Sequence, residues 1–183
     1  PDPQVPASHS CPLETFVFST ATDTIALSTA SGGLFAPFPT GIPALDEPEI
    51  ADGFLGAFKI HDIHGNLVGF GTEQEVIDFD TAIASTTFTL TLPGRGTLML
   101  SQIEDTSVYF AEVEDMIADE EYIRSFDPPL VAVTTVQGTG RVIGGTGEFR
   151  HARGRMREID YLYEANLIDR AFNLTDLIQV KIW

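Results

Sequence analysis

The sequence predicts an all-β fold of short antiparallel strands, and three features of its pattern indicate this. Apolar and polar residues alternate over several segments, as they do in strands with one buried face. Glycine, proline and asparagine interrupt these segments at intervals of about 8–15 residues. Only one stretch, around Val113, Met116 and Ile117, has the spacing of an amphipathic helix. We therefore expect seven to nine strands, arranged as a sandwich or a barrel.

The predicted strands follow one another along the chain and are separated by short turns. The first lies at residues 14–20, and residues 22–29 form either its hairpin partner or its continuation. Further strands are predicted at residues 54–62, 67–79, 87–92, 97–103, 130–136, 148–160 and 171–183. In one of them, Phe88, Leu90 and Leu92 alternate with threonines, so these three side chains should face the core.

Three segments lack a strand pattern within what we expect to be a single domain, residues 1–183. Residues 1–12 contain several prolines and are expected to form a loose arm. Residues 31–50 combine many glycines and prolines with large apolar side chains. We interpret them as a lid over a cavity mouth, with packing on the outer wall as the alternative. Residues 104–127, which include the predicted helix, are expected to be an insertion that forms a second lid or an oligomer contact.

Composition limits the classes of partner. The formal net charge is −17, which repels nucleic acid and anionic membranes, so we expect neither as a partner. No run of residues approaches the ~20 apolar residues of a membrane span. Cys11 is the only cysteine, which fits a reducing compartment such as the cytoplasm, with secretion open if a signal has been removed. Apolar outer stripes on an acidic barrel are compatible with a homodimer.

Other site types are not supported by the spacing of their residues. A phosphate-binding loop needs a helix directly after its glycines, whereas the residues after Gly147 alternate like a strand. His61 and His64 straddle a predicted turn without a third ligand, so we expect them to be solvated and expect no metal there. No serine lies in a Gly-x-Ser-x-Gly motif, and Cys11 lacks the sequence context of a catalytic cysteine.

A glycine-rich motif connects two predicted strands near the end of the chain. Residues 144–154 run GGTGEFRHARG, and the glycines at 144, 145 and 147 permit a tight connection because glycine adopts positive φ without strain. The motif resembles the GGTGxFxxARG signature of the dirigent and allene oxide cyclase barrel superfamily. Residues 62–72 resemble that family's DxxGxxVGxGT segment. The resemblance covers residues 54–183 and implies an eight-stranded antiparallel β-barrel with irregular lid segments.

The resemblance also implies a barrel whose interior binds a small apolar molecule. Allene oxide cyclases fix the conformation of a reactive polyene-like substrate, dirigent proteins steer radical coupling, and microbial relatives include [4+2] cyclases. We expect a stereoselective intramolecular cyclase of secondary metabolism that acts without a cofactor on a polyene or polyketide-type chain in an apolar cavity. The expected reaction is a [4+2] (Diels–Alder) cycloaddition. A dirigent-like or allene-oxide-cyclase-like isomerase and a non-catalytic carrier of a hydrophobic small molecule are the alternatives.

Candidate site residues are those that the strand pattern can direct into the barrel. A carboxyl group in an apolar pocket has a raised pKa and can act as an acid or a base, although Glu73 and Glu75 could equally face water. The catalytic candidates are Glu73, Gln74 and Tyr109. The candidates for substrate binding are Phe35, Phe38, Phe58, Phe88, Leu90, Met99, Thr135, Gln137, Met156 and Trp183.

Overall fold

Ten strands and two short helices form the protein in a computed structural model, which describes residues 13–30 and 32–183. The predicted N-terminal arm, residues 1–12 with Cys11, lies outside the described residues. In chain order the elements are β1 (Leu13–Ser19), α1 (Thr20–Asp23), β2 (Thr24–Thr29), β3 (Gly53–His61), β4 (Leu67–Asp78), β5 (Ile83–Leu92), β6 (Gly96–Asp105), α2 (Ser107–Ala118), β7 (Ile123–Ala132), β8 (Arg141–Gly145), β9 (Gly154–Asn166) and β10 (Ala171–Ile182). None of the described helices is long and apolar enough to cross a membrane.

Eight of the strands close into an antiparallel barrel. The wall follows the order β1-β10-β9-β8-β6-β5-β4-β3, and it closes where Val17 of β1 pairs with His61 of β3. Because the sheet closes on itself, the fold is the barrel and not the sandwich of the two predicted alternatives. The two extra strands are β2, which pairs with β3, and β7, which pairs with β9. The segment at residues 22–29 is therefore neither partner nor continuation of β1, because α1 redirects the chain onto β3.

Inward-facing apolar residues fill much of the barrel. Phe88, Leu90 and Leu92 are at most 2% exposed, as the alternation predicted. The core that contains them reaches from Phe16 on β1 to Val180 on β10. A second cluster lies between α2, β7 and the β9–β10 pair. The inward residues of β9 and β10 between these two clusters are polar, and this layer positions the site described below.

The connection between β8 and β9 is longer than the sequence predicted. Residues 147–149 form a single 3₁₀ turn, and β9 begins at Gly154, not at residue 148. Gly147 has a φ of +59°, and a side chain there would lie 2.4 Å from the Arg95 carbonyl oxygen. A side chain at Gly154 would lie 2.1 Å from the Lys181 carbonyl oxygen. The glycines thus permit close approach of neighbouring backbone segments. The short turn is followed by strand β9, whereas the glycines of a phosphate-binding loop are followed by a long helix.

Strand β7 begins earlier than predicted and contains two prolines. The predicted strand was residues 130–136, whereas β7 runs from Ile123 to Ala132 and includes Pro128 and Pro129. Its pairing with β9 shifts register between Ser125 and Leu130. Proline has no N–H to donate to a strand ladder, so within sheets it is found at edge strands and at irregularities of this kind. The predicted helix is confirmed as α2, but the rest of the predicted insertion is partly strand.

Candidate functional site

The barrel encloses a cavity of about 90 Å³ at the level where α2 and the irregular segment after β2 meet the wall. Aromatic side chains line it from the neighbouring strands β3, β1 and β10. Carboxyl groups line it mainly from β4, β6 and β9. The cavity is therefore apolar on one side and acidic on the other, so carboxyl groups accompany the apolar lining that the sequence predicted.

The apolar side consists of packed aromatic rings. Phe18 and Phe58 stack with their ring centroids 4.4 Å apart, and both are buried. Phe35, from the irregular segment after β2, lies between Phe54 and Phe172 at centroid distances of 5.6 and 5.3 Å. These are stacked and tilted geometries that aromatic rings favour. The segment predicted as a lid thus contributes a ring to the cavity wall.

The acidic side carries six carboxyl groups. They belong to Glu73, Glu75, Glu104, Glu158, Asp160 and Asp176. The last four residues are at most 6% exposed, whereas the two on β4 are partly buried. No lysine, arginine or histidine is among the described residues that line the cavity. Buried carboxyl groups without basic partners are costly unless they are protonated, hydrogen-bonded or bound to a cation.

The two-residue period of a strand explains how these groups reach the interior. Glu73 and Glu75 flank Gln74 on β4, so both glutamates point inward while Gln74 is exposed. Glu158 and Asp160 have the same spacing on the inward face of β9. Pairs of acidic residues two positions apart in a strand are the sequence signal that would have found the site.

Gln102 connects two of the carboxyl groups. Its side-chain nitrogen donates hydrogen bonds to Glu104 Oε1 at 2.5 Å and to Glu158 Oε2. Its side-chain oxygen accepts a hydrogen bond from the Thr135 hydroxyl at 2.5 Å. That hydroxyl oxygen accepts a hydrogen bond from the backbone N–H of Glu158 at 2.7 Å. Gln102 therefore holds Glu104 of β6 and Glu158 of β9 in a fixed relation inside the barrel.

Asp160 joins the acidic side to α2. The Tyr109 hydroxyl donates a hydrogen bond to Asp160 Oδ2 at 2.8 Å. The other oxygen, Asp160 Oδ1, is buried and has no hydrogen-bond partner within the described part of the chain. Asp176 lies directly opposite Asp160 on β10. One oxygen of the Asp160 carboxyl group is thus fixed by α2, and the carboxyl group also interacts with that of Asp176.

Burial and mutual repulsion change the protonation of this side of the cavity. Burial raises the pKa of Glu73 well above its usual value of 4.5, and the charge of Glu75 raises it further. Burial raises the pKa of Asp160 to about 7, with a further contribution from Glu104. Burial also raises the pKa of the Tyr109 hydroxyl, which stays protonated. Some of the carboxyl groups are therefore neutral near pH 7 and can donate hydrogen bonds.

Only some of the predicted site residues lie at this cavity. Those that line it are Glu73, Tyr109, Phe35 and Phe58. Those in the apolar core are Phe88, Leu90 and Met156. Those that are exposed are Gln74, Phe38, Met99, Gln137 and Trp183. Met99, for example, faces outward because Leu98 and Leu100 occupy the inward positions of β6. Thr135 belongs to the Gln102 network.

Four of the six carboxyl groups were not expected from the sequence. They are Glu104, Glu158, Asp160 and Asp176. Apolar alternation was used there to choose the inward face of each strand, and this rule assigns charged residues to the surface. The rule fails where several strands contribute carboxyl groups to one layer.

Two sets of three carboxyl groups lie close enough to hold a metal ion. One set is Glu73, Glu75 and Glu104, and the other is Glu158, Asp160 and Asp176. Within each set, one oxygen atom from each residue lies within 4.8 Å of the others. Carboxylate oxygens are the ligands that hard divalent cations prefer.

Comparison with known proteins gives a distant structural similarity. No protein-family model and no curated protein matches the chain. Among solved structures, the chain is similar to a nonspecific heme-binding cyclase that catalyses [4+2] cycloaddition during neoabyssomicin biosynthesis. The sequence identity is 13%, the TM-score is 0.44, and the match covers 93% of this chain and 64% of that chain. Membership of the dirigent and allene oxide cyclase superfamily stays a prediction, and function has to be inferred from the cavity itself.

Proposed function

We propose that this protein is an intramolecular cyclase that folds an apolar, carbonyl-bearing substrate inside the barrel and accelerates its ring closure. The expected reaction is a [4+2] cycloaddition of a polyene or polyketide-type chain. The observation that carries the proposal is the two-sided cavity, in which aromatic rings face carboxyl groups. An enclosed aromatic surface can hold a flexible chain near the reactive geometry, which lowers the entropic part of the barrier.

Glu73 provides the polar contact in this proposal. Its carboxyl group lines the cavity, and burial raises its pKa well above the usual 4.5, which favours the protonated form. A protonated carboxyl group donates a hydrogen bond to a substrate carbonyl, which withdraws electron density from a conjugated double bond and favours cycloaddition. The Tyr109 hydroxyl is less available for this role because it already donates to Asp160.

Substrate entry requires the cavity to open. A volume of about 90 Å³ is well below the ~300–1,000 Å³ of pockets that hold drug-sized ligands. Phe35 and Leu34 also line a second cavity of about 40 Å³, which shares Glu75 and Ile77 with the first. Displacement of Phe35 would join the two cavities. We therefore assign a lid role to the segment around Phe35, and the present structure corresponds to the closed state.

The stereochemistry of ring closure tests this proposal. Linear polyenes that carry a conjugated carbonyl and close slowly without a catalyst are incubated with the protein, and the products are separated by chiral chromatography. The proposal predicts one dominant stereoisomer. A product ratio equal to that of the uncatalysed reaction throughout the series would count against it. A carrier would bind the polyene stoichiometrically and leave both rate and ratio unchanged.

Variants at two neighbouring positions of β4 distinguish loss of a catalytic group from a non-specific effect of substitution in this strand. Glu73→Leu removes the inward donor, and loss of one such hydrogen bond lowers the rate by about 100-fold. Glu73→Gln keeps an N–H donor at the same place and should retain more of the activity. Gln74→Leu is the matched control, because this side chain is exposed on the outer face of the same strand.

A further inference from the structure

We propose that Glu158, Asp160 and Asp176 form a binding site for one divalent cation of the size of calcium. Their carboxylate oxygens, one from each residue, lie within 4.8 Å of one another. Calcium binds oxygen at about 2.3–2.6 Å, so two oxygens on opposite sides of one ion are at most about 5.2 Å apart. Magnesium usually keeps several of its waters and is seldom held by protein side chains alone, so a buried set of three carboxyl groups suits it less. The 4.8 Å limit is therefore compatible with ligands around one calcium-sized ion.

Regular strands hold the three side chains in place. Asp160 and Asp176 are directly opposite each other in the β9–β10 pair, and Glu158 is the preceding inward residue of β9. The Glu158 carboxyl group accepts hydrogen bonds from the Gln102 amide and, at 3.4 Å, from the Thr134 hydroxyl. Sites built on strands and oriented by neighbouring hydrogen bonds are more precise than sites on loops.

A second observation, separate from the clustering of the three acidic residues, supports the site: one oxygen atom of Asp160 has no hydrogen-bond partner among the described residues. Asp160 is 6% exposed, and its Oδ1 atom has no hydrogen-bond partner among the described residues, whereas Oδ2 accepts from Tyr109. A buried carboxylate oxygen without a donor is unfavourable. The described cavity lining offers no basic side chain to neutralise it. One cation would both contact this oxygen and offset the charge of all three carboxylates.

Calorimetry on the full chain, after treatment with a chelator, tests the site without any substrate. We expect Ca²⁺ to bind at one site per chain. Asp160→Asn and Asp176→Asn should each weaken binding by about tenfold or more, since even groups that only support a metal ligand change affinity by about 10–100-fold. Glu114→Gln, on the exposed face of α2, is the matched control for non-specific binding to an acidic surface and should leave the affinity unchanged.

Luminescence of Tb³⁺, a lanthanide that takes the place of calcium in oxygen sites, locates the ion. Tyr109 contacts Asp160 and should transfer excitation energy to Tb³⁺ bound there. At saturating Tb³⁺, Tyr109→Phe should abolish most of the tyrosine-excited emission, although loss of its hydrogen bond to the ligand Asp160 should also weaken Ca²⁺ binding. Asp160→Asn should lose both signals. The other tyrosines, which are exposed or face outward, are Tyr122, Tyr161 and Tyr163.

Three results would overturn the site. They are the absence of saturable Ca²⁺ binding to the wild type, an affinity in Asp160→Asn and Asp176→Asn equal to that of Glu114→Gln, and emission that Tyr109→Phe does not change. Thermal unfolding of each variant shows whether it is folded, and the wild-type titration stands if one variant is not. Because no substrate is used, failure here is distinct from failure of the proposed cyclase activity.

Discussion

Asp160 on β9 and Asp176 on β10 are directly opposite each other in the barrel wall, with both side chains in the interior. Burial raises the pKa of each carboxyl group, and the charge of Asp160 raises that of Asp176 further. A strand pair that places two acids face to face in a core is unfavourable for folding alone. We infer that the acidic side of the cavity serves to bind a ligand and not to stabilise the fold.

The stability of the protein should fall as the pH rises from about 5 to about 8. Burial raises the folded-state pKa of Glu73 and of Glu75 well above the usual 4.5. The folded chain therefore holds protons that the unfolded chain has released, and stability decreases with pH above about 4.5. Facing groups of like charge are Glu104, Asp160 and Asp176. Thermal unfolding midpoints, measured with a chelator present, provide the check.

The same profile in a double variant shows whether the interior causes this slope. Glu73→Gln with Glu75→Gln removes two of the buried acids and should flatten the profile, whereas Glu114→Gln on α2 should keep the wild-type slope. A midpoint that rises between pH about 5 and about 8, or a double variant with an unchanged slope, would show that these groups do not control stability.

Gly154→Ala should destabilise the barrel. The added Cβ would lie 2.1 Å from the Lys181 carbonyl oxygen and 2.9 Å from a Val142 methyl group, so the β9–β10 and β8–β9 pairs would have to separate. Overpacking of this kind costs about 1–3 kcal/mol in the free energy of unfolding. Denaturant titration measures it.

Gly138→Asn is the matched control for that change. Gly138 has a φ of +85°, a conformation that asparagine tolerates better than most residues, and no atom lies within 4 Å of an added Cβ. The control should retain most of the wild-type stability. Equal losses in both variants would mean that close backbone approach at Gly154 is not what the motif provides.

Phe35→Ala should open the cavity. This ring lines two neighbouring cavities of about 90 and 40 Å³, so its removal should join them and expose the aromatic side. We expect faster and tighter binding of an apolar fluorescent dye, measured by stopped-flow fluorescence. Phe38→Ala is the control, since Phe38 lies in the same segment but is 50% exposed and does not line either cavity. If both variants bind dye like the wild type, Phe35 is not a gate.

Arg124→Met should loosen α2 from the barrel. The guanidinium of Arg124 on β7 forms ion pairs with Glu112, Asp119 and Glu121, which connects β7 to the middle of α2 and to the residues that follow its C-terminal end. Pairs at or near the surface contribute about 1 kcal/mol or less each, so the global stability should change little. Hydrogen exchange in α2 should become faster. Arg157→Met, on the outer wall, is the control, and equal exchange in both variants would exclude an anchoring role for Arg124.

The strands with a simple apolar alternation could be predicted from the sequence, whereas the way in which acidic residues of different strands meet inside the barrel could not. Phe88, Leu90 and Leu92 showed their inward face directly, because each packs on other apolar side chains. Asp160 and Asp176 become neighbours only through the β9–β10 register, which no local pattern encodes. Their position inside the barrel therefore depends on the pairing of the two strands and not on the residues next to each of them in the sequence.

The ends of elements were least predictable where backbone contacts decide them. β9 begins at Gly154 because this residue packs against the backbone of β10, which the sequence does not reveal. The two prolines of β7 suggested a boundary, but an irregular pairing with β9 accommodates them within the strand. Glu73 was selected from a polar cluster within a predicted strand and Tyr109 from the residues that follow another one, and their place at the cavity depends on barrel closure.

The central claim is that the two-sided cavity shapes a flexible substrate into a ring, and turnover tests it most directly. A conjugated polyene in large molar excess is incubated with the wild-type protein, and stereoisomers are counted per chain over time. The claim predicts many molecules of one stereoisomer per chain. Product that never exceeds one molecule per chain above the uncatalysed background, or that keeps the uncatalysed stereoisomer ratio, would contradict it.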